Sequence, residues 1–352
     1  MNKIDKLFEQ WQDLQPLSER KQHLLSQRFT VDYNYNSNHI EGNTLTYGQT
    51  ELLLLFGRVS GEGSLKDFND MKASEVTVHM LQEELSEDKP LTQHFIRLLH
   101  QTLLREDYTV YRTLPDGTTT HYVIHAGAYK SRSNSVITRY GDRFEYASPQ
   151  ETPALMTDLV DWYNQAEASQ ALHPVELAAL FHYRYIRIHP FEDGNGRMAR
   201  LLVNYILARH KYPMLVVRHR NKEQYLDALH ESDVRVGKAP SLGATASLSQ
   251  ISPFLRFFKD WVATELQYLI AFATETKPHI WWYDGQRIAF RSEASAVLLS
   301  ILEQNPNISI TELAAKAHIS PTAVKQQLAQ FQKKGYIEVS EKGRRVFAIS
   351  SI

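Results

Sequence analysis

The stretch HPFEDGNGRMAR, residues 189–200, sets a histidine, a proline, two acids, two glycines and two arginines between two apolar runs. Upstream, HPVELAALFHYRYIRIH has helical periodicity from Pro174, a residue suited to a first helical turn. That helix should stop at His189, because the ring of Pro190 pushes the preceding residue out of the helical region. Downstream, GNGRMARLLVNYILARH repeats the apolar spacing and should open a second helix. The stretch is therefore the loop of a helix–loop–helix unit.

Several chemistries fail on spacing. Gly194, Gly196 and Ala199 match a dinucleotide fingerprint in form, but that fingerprint follows a strand, and here a helix precedes it. Asp193 begins a pattern like a calcium loop, yet its fifth and twelfth positions are Arg197 and Asn204, both poor ligands. No G-x-x-x-x-G-K occurs. What the residues fit is an anion cradle. Gly194, Asn195 and Gly196 lead into a helix N-terminus, where free N–H groups and the helix dipole favour phosphate. Arg197 and Arg200 lie on one helix face and can grip further phosphates. Asp193 can hold Mg²⁺ between phosphates. His189 can take a proton near neutral pH.

Working outward, helical periodicity dominates. IDKLFEQWQDL places Leu7, Trp11 and Leu14 on one face, and Thr46 with Gln49 forms a capping box ahead of TELLLLF. LTQHFIRLLHQTLL is a further helix, and Ser252 with Pro253 starts another through FLRFFKDWVATELQYLIAFA. Strand signals are few. HYVIHAGAYKSRSNSVI has β-rich pieces broken at Ala126–Ala128, which predicts a hairpin or paired strands. A strand would put His121 and His125 on one face, but nothing nearby completes a metal site. APSLGATASLSQIS reads as a loop.

Composition narrows the partners. Of 352 residues, 43% are hydrophobic and 22% charged, enough for a substantial core. The formal net charge of -1 gives no overall field for nucleic acid or anionic membrane, so either partner needs a local patch. The chain has no cysteine, which removes disulfides and thiolate metal sites. The longest aliphatic run, Leu52–Leu55, is far too short to span a bilayer, and the N-terminus lacks the apolar segment of a signal peptide. A cytoplasmic protein with no membrane contact is expected.

HPFEDGNGRMAR matches every fixed position of the Fic motif, H-x-F-x-[DE]-G-N-G-R-x-x-R. Over roughly residues 30–230 the chain resembles Fic proteins, which are mostly helical and transfer AMP from ATP to a Ser, Thr or Tyr hydroxyl of a protein. The resemblance implies a general base at His189 and a core anchor at Phe191. It implies Mg²⁺ at Asp193. Gly194, Asn195 and Gly196 would hold the α- and β-phosphates, and Arg197 and Arg200 the β- and γ-phosphates. AGAYKSRSNSVI resembles the family's flap, which aligns the target by strand-like pairing. Tyr225 is similar to a tyrosine that the family places near adenine.

Far upstream, SNHIEGN, residues 37–43, is by itself a helix end stopped by Gly42. Beside the Fic loop it resembles the family's inhibitory pattern [ST]-x-x-x-E-[GN], through Ser37, Glu41 and Gly42. The resemblance implies that Glu41 pairs with Arg200 and competes with the γ-phosphate.

Near residue 287 the pattern changes. FRSEASAVLLSILEQ is a helix, Ser309 and Glu312 cap a second, Ser320 and Pro321 open a third, and YIEVSEKGRRVFAI makes two short strands. That order is a winged helix-turn-helix. Val324, Leu328 and Phe331 should be buried, leaving Thr322, Lys325 and Gln326 outward, with Arg344 and Arg345 in the wing as further DNA contacts. From Glu312 to Arg345, seven basic side chains face three acidic ones.

The expected architecture is a mainly α protein, a Fic helical fold with a short β-hairpin flap followed by a winged helix-turn-helix. Its expected parts are 1–90, N-terminal helices with the inhibitory segment; 91–235, the Fic core; 236–287, a helix and linker; and 288–352, the winged helix. The expected function is an autoinhibited protein adenylyltransferase that uses ATP and Mg²⁺. Its targets would be a hydroxyl-bearing protein, the chain itself included, with a homodimer and DNA as further partners. The alternative is a DNA-binding regulator in which the Fic fold only senses nucleotide.

Overall fold

Helices account for most of the computed structural model, which describes residues 3–349 apart from 60, 88, 114–116, 138–142 and 341–345. In chain order come α1 (Lys3–Asp13), α2 (Glu19–Ile40), α3 (Tyr47–Phe56), α4 (Leu65–Glu84) and α5 (Gln93–Leu104). Two hairpins follow, β1 (Tyr108–Thr113) with β2 (Thr119–Ile124), and β3 (Ser135–Ile137) with β4 (Arg143–Glu145). Then come α6 (Thr152–Ser169), α7 (Pro174–Ile188), α8 (Asn195–Arg209), α9 (Lys222–Val236), α10 (Pro240–Ala244) and α11 (Ser252–Thr274). The chain ends with the hairpin β5 (Ile280–Tyr283) and β6 (Gln286–Ala289), then α12 (Glu293–Gln304), α13 (Ile310–Ala317), α14 (Pro321–Lys333), and the hairpin β7 (Ile337–Ser340) and β8 (Val346–Ile349). None of the described helices is long and apolar enough to cross a membrane.

Two compact units form. One is Ala73–Val262; the other joins the residues up to Lys72 with those from Ala263 onward. In the first, α7 and α8 are buried on nearly all sides. Phe181, Tyr183, Tyr185 and Ile188 of α7 and Met198, Leu202, Val203 and Ile206 of α8 are at most 1% exposed. Helices buried on nearly all sides belong at the centre of a core, so the loop between these two helices hangs from the centre of the unit.

A buried guanidinium supports that centre. Arg187 on α7 is 1% exposed. It donates to the Tyr183 hydroxyl at 3.0 Å, the Asp233 carboxylate at 3.1 Å, and the carbonyls of Gly237 and Ala239 at 2.8 and 3.0 Å. Gly243 in α10 lies against it, and a Cβ there would fall 2.4 Å from Arg187 Nε. Because Arg187 is fixed by four acceptors, it cannot yield to a methyl group. Gly243→Ala should therefore destabilise the protein by roughly 1–3 kcal/mol, the range for overpacking a filled core. A denaturant midpoint equal to wild type would show that Arg187 can move.

The second unit contains the winged helix. Ser309 and Glu312 form the expected capping box of α13, and Ser320 caps α14. Val324, Leu328 and Phe331 are buried as the spacing predicts, with Leu298, Leu299 and Leu302 of α12 and Leu313 of α13. The same core takes in Val31 and Tyr35 of α2 and Trp281 and Tyr283 of β5. Polar ties reinforce this. Lys21 Nζ donates to the carbonyls of Phe272, Ala273 and Glu275 at 2.8–3.1 Å, and Asn36 donates to Asp284 at 2.9 Å.

Some elements depart from the expectation. The 236–287 segment carries the β5–β6 hairpin, whose Asp284–Gly285 turn was a hairpin signal in the sequence. The 239–252 stretch, expected as loop, contains the short helix α10. Strand β2 pairs with β1 rather than with the strand that follows it, so two hairpins stand where one was expected.

Candidate active site

The sequence ends α7 where expected. His189 is its C-cap, in the left-handed region at φ 52, with its N–H donating to the Tyr185 carbonyl at 2.9 Å. The reversal presents the half-buried imidazole beside the loop. Tyr146 stacks on it at 3.9 Å with rings 14° from parallel, and Nδ1 is buried with no hydrogen-bond partner among the described residues. Burial, then the Lys130 ammonium, lower its pKa from 6.5 to about 3, against the opposing pull of the Asp193 carboxylate. The ring is therefore neutral at physiological pH.

The loop is braced from inside. Asn195 is 2% exposed; its Oδ1 accepts from the Phe191 N–H at 3.0 Å and its Nδ2 donates to the Phe191 carbonyl at 2.7 Å. Its side chain is thus turned inward and closes the loop. Phe191 is fully buried and stacks on His100 at 3.6 Å, as an anchor should. His100 accepts from the Gly127 N–H through Nδ1 at 2.9 Å, so its Nε2 carries the hydrogen directed at the Asp193 carbonyl, 3.0 Å away.

Asp193 sits at the loop's turn with its side chain 38% exposed. Its carboxylate accepts from the Gly194 N–H at 2.6 Å and from the Tyr108 hydroxyl at 2.7 Å, and Arg197 lies 3.6 Å away. Gly194 precedes α8 at φ 76, a conformation other residues rarely adopt. Having no side chain, it leaves the N-terminus of α8 without a side-chain cap. Gly196 is half-buried in the first turn, and Arg197 and Arg200 are 6% and 3% exposed.

Arg200 borders a narrow apolar gap with His182, Tyr225, Phe254 and Trp261. Tyr225 is 4% exposed and its hydroxyl lies 3.0 Å from His182 Nε2. Tyr225 thus lies buried beside Arg200.

The flap segment is clamped to the loop. Lys130 is 3% exposed; its ammonium donates to Asn134 Oδ1, the Ile188 carbonyl and the His189 carbonyl at 2.9, 3.0 and 2.9 Å. Its N–H donates to the Pro190 carbonyl at 2.9 Å. Asn134 donates to the Phe191 carbonyl at 3.0 Å, and Ser131 donates to Glu192 through its N–H and hydroxyl at 3.2 and 3.0 Å. Sequence reasoning marked the segment and missed Lys130, Asn134, His100, Tyr108 and Tyr146, whose partners lie far along the chain. His125 pairs with Asp107 at 2.6 Å, and no cluster of three metal-ligating residues occurs among the described residues.

Three histidines make the fold acid-sensitive. Burial above all lowers His100 to about 4 and His182 and His189 to about 3. The unfolded chain takes up these protons below about pH 6.5, and the folded chain refuses them until well below that. Stability is thus fully present above the unfolded pKa and is lost as pH falls through this window. Tm should fall between about pH 6.5 and 4, and His100→Gln, which can still accept from Gly127 and donate to Asp193, should flatten the decline by up to about 3 kcal/mol. An unaltered pH slope in that variant would remove His100 from the effect.

In the other unit, Ser37 is buried near the end of α2, Glu41 is its exposed C-cap, and Gly42 follows at φ 97. Thr322, Lys325 and Gln326 are exposed on α14. Arg344 and Arg345 lie outside the described residues.

The loop between two buried helices, its paired flap and the appended three-helix module define a Fic-type fold with a winged helix. A Fic/DOC family model matches residues 90–207, and a winged helix-turn-helix DNA-binding model matches residues 297–338. A solved Fic domain-containing signaling protein from Bacteroides thetaiotaomicron VPI-5482 is 49% identical, with a TM-score of 0.72 over 78% of this chain and 100% of that one. The chain belongs to the Fic family. A Fic family protein from Desulfovibrio desulfuricans G20 shares the fold over 99% of this chain and 94% of that one, at 20% identity and a TM-score of 0.57. Protein adenylyltransferase fic-1 of Caenorhabditis briggsae is 30% identical over 64% of this chain, which spans 38% of that protein's length.

Proposed function

We propose that the chain transfers AMP from ATP to a Ser, Thr or Tyr hydroxyl of a protein, and that Glu41 holds this activity down. The observation that carries the reading is the neutral His189 beside an uncapped helix N-terminus backed by Arg197 and Arg200. The hydroxyl oxygen attacks the α-phosphorus, its proton passes to His189, and the bond to the β-phosphate oxygen breaks, releasing pyrophosphate. The low pKa of His189 belongs to the site without substrate. Phosphates brought beside it favour the charged imidazolium. The N–H groups of Asn195 and Gly196 and the two guanidiniums bind and orient the phosphates.

Asp193 suits Mg²⁺, which keeps several waters and takes one or two carboxylates together with phosphate oxygens. When bound, the ion neutralises phosphate charge. Asp193 stands at the loop's turn with its side chain partly exposed, so its carboxylate is within reach of an ion arriving from solvent. Lys130 and Asn134 hold the flap against the loop, where a target segment would add by strand-like pairing.

The exposed Thr322, Lys325 and Gln326 favour DNA contact by α14 as a second activity. Labelled ATP with Mg²⁺ separates the readings. Label in protein supports the transferase. A DNA shift that responds to ATP, with no label, supports a nucleotide-sensing regulator and overturns transfer.

A further inference from the structure

A half-enclosed cavity of about 320 Å³ opens between α2, α3 and α12, within the unit that holds the winged helix. Its volume is that of a small-ligand site. Leu24, Val31, Leu55 and Phe56 supply apolar wall. The interior is acidic. Glu51 on α3 is 6% exposed and lines the cavity, and no described residue donates a hydrogen bond to its carboxyl group. Glu303 on α12 is paired with Arg28 of α2 at 3.2 Å, and Asp32 accepts the Tyr47 hydroxyl at 2.5 Å. One buried guanidinium therefore stands beside the two carboxyl groups of the lining, Glu51 and Glu303. Arg20 and His23 also line the cavity, but both are exposed, where solvent and salt screen them.

A buried carboxyl group without a partner is costly. Burial, then Glu303, push the Glu51 carboxyl well above its usual range, with Arg28 opposing. Burial thus favours its neutral, protonated form. A cation beside it would supply the missing donor and replace that proton.

We propose that this cavity binds a small organic cation, an ammonium or guanidinium group on a short apolar body, with Glu51 as its counter-ion. The apolar wall covers the body, and the Arg28–Glu303 pair frames the charged end. The bound molecule would tie α2, which carries Ser37 and Glu41, to the first helix of the winged module. The inference is independent of AMP transfer.

Calorimetry on the full chain with n-butylammonium and with methylguanidinium tests it, using butyrate as the control. Both cations should bind saturably with proton release, seen as a heat that changes with the ionisation enthalpy of the buffer. Butyrate should not bind. Glu51→Gln keeps the shape and removes the charge, and should weaken cation binding roughly 10–100-fold, the worth of a hydrogen bond to a charged group. Gln27→Trp narrows the cavity from α2 without touching an acid, and should also block binding, which keeps the test decisive if Glu51→Gln does not fold. Saturable binding of butyrate, no saturable binding of either cation, or equal cation affinity in a folded Glu51→Gln or Gln27→Trp protein would overturn the proposal.

Discussion

His189→Ala should lower AMP transfer by about 10²–10⁴-fold, the usual worth of a general base. Nucleotide binding should survive, because the groups assigned to phosphate lie on α8 and not on the histidine. The residue occupies a left-handed conformation at φ 52, which alanine tolerates poorly. Asparagine accepts that backbone readily and has no basic nitrogen. His189→Asn therefore separates a catalytic loss from a folding loss, and both variants should lose transfer while only alanine lowers Tm. Intact-mass measurement of a target after incubation with ATP and Mg²⁺ gives the readout. Transfer at the wild-type rate by folded His189→Asn would remove the histidine from the reaction.

Glu41→Gly should act in the opposite direction. If Glu41 competes with the γ-phosphate for Arg200, its removal lets ATP settle with the α-phosphorus in line for attack. The gain should be roughly 10–100-fold in self-modification and in ATP affinity, matching the loss of one charge-assisted contact. Glu41 is exposed and follows the last turn of α2, so glycine there should leave the fold standing. Arg200→Ala should not imitate it, because that change also deletes a phosphate ligand. The double variant should resemble Arg200→Ala, the non-additivity expected of two groups in one interaction. Equal low activity in wild type and Glu41→Gly would end the inhibitory reading.

Local chemistry was legible along the chain. Pro174 opens α7, Pro190 forces its end at His189, Gly194 permits the left-handed turn, and α8 starts at Asn195, because each depends on backbone sterics within a few residues. The capping boxes at Thr46 and Ser309 and the buried stripe of α14 follow the same rule. Phe191 was readable as an anchor only through the family pattern, since a lone phenylalanine carries no such sign.

Long-range partners were not legible. Lys130 reads as a surface lysine, and becomes buried because the carbonyls of Ile188 and His189, 58 and 59 residues away, meet its ammonium beside Asn134. His100 sits 93 residues from the carbonyl it supports. Nothing near Asn195 in the sequence tells that its side chain braces Phe191. The union of the N-terminal helices with the winged module likewise has no local signal. Arg28 and Glu303 are 275 residues apart, and neither side chain reveals its partner by spacing. Short-range sterics and capping act before the chain folds; burial, pKa and ion pairing exist only after distant segments have excluded water from one another.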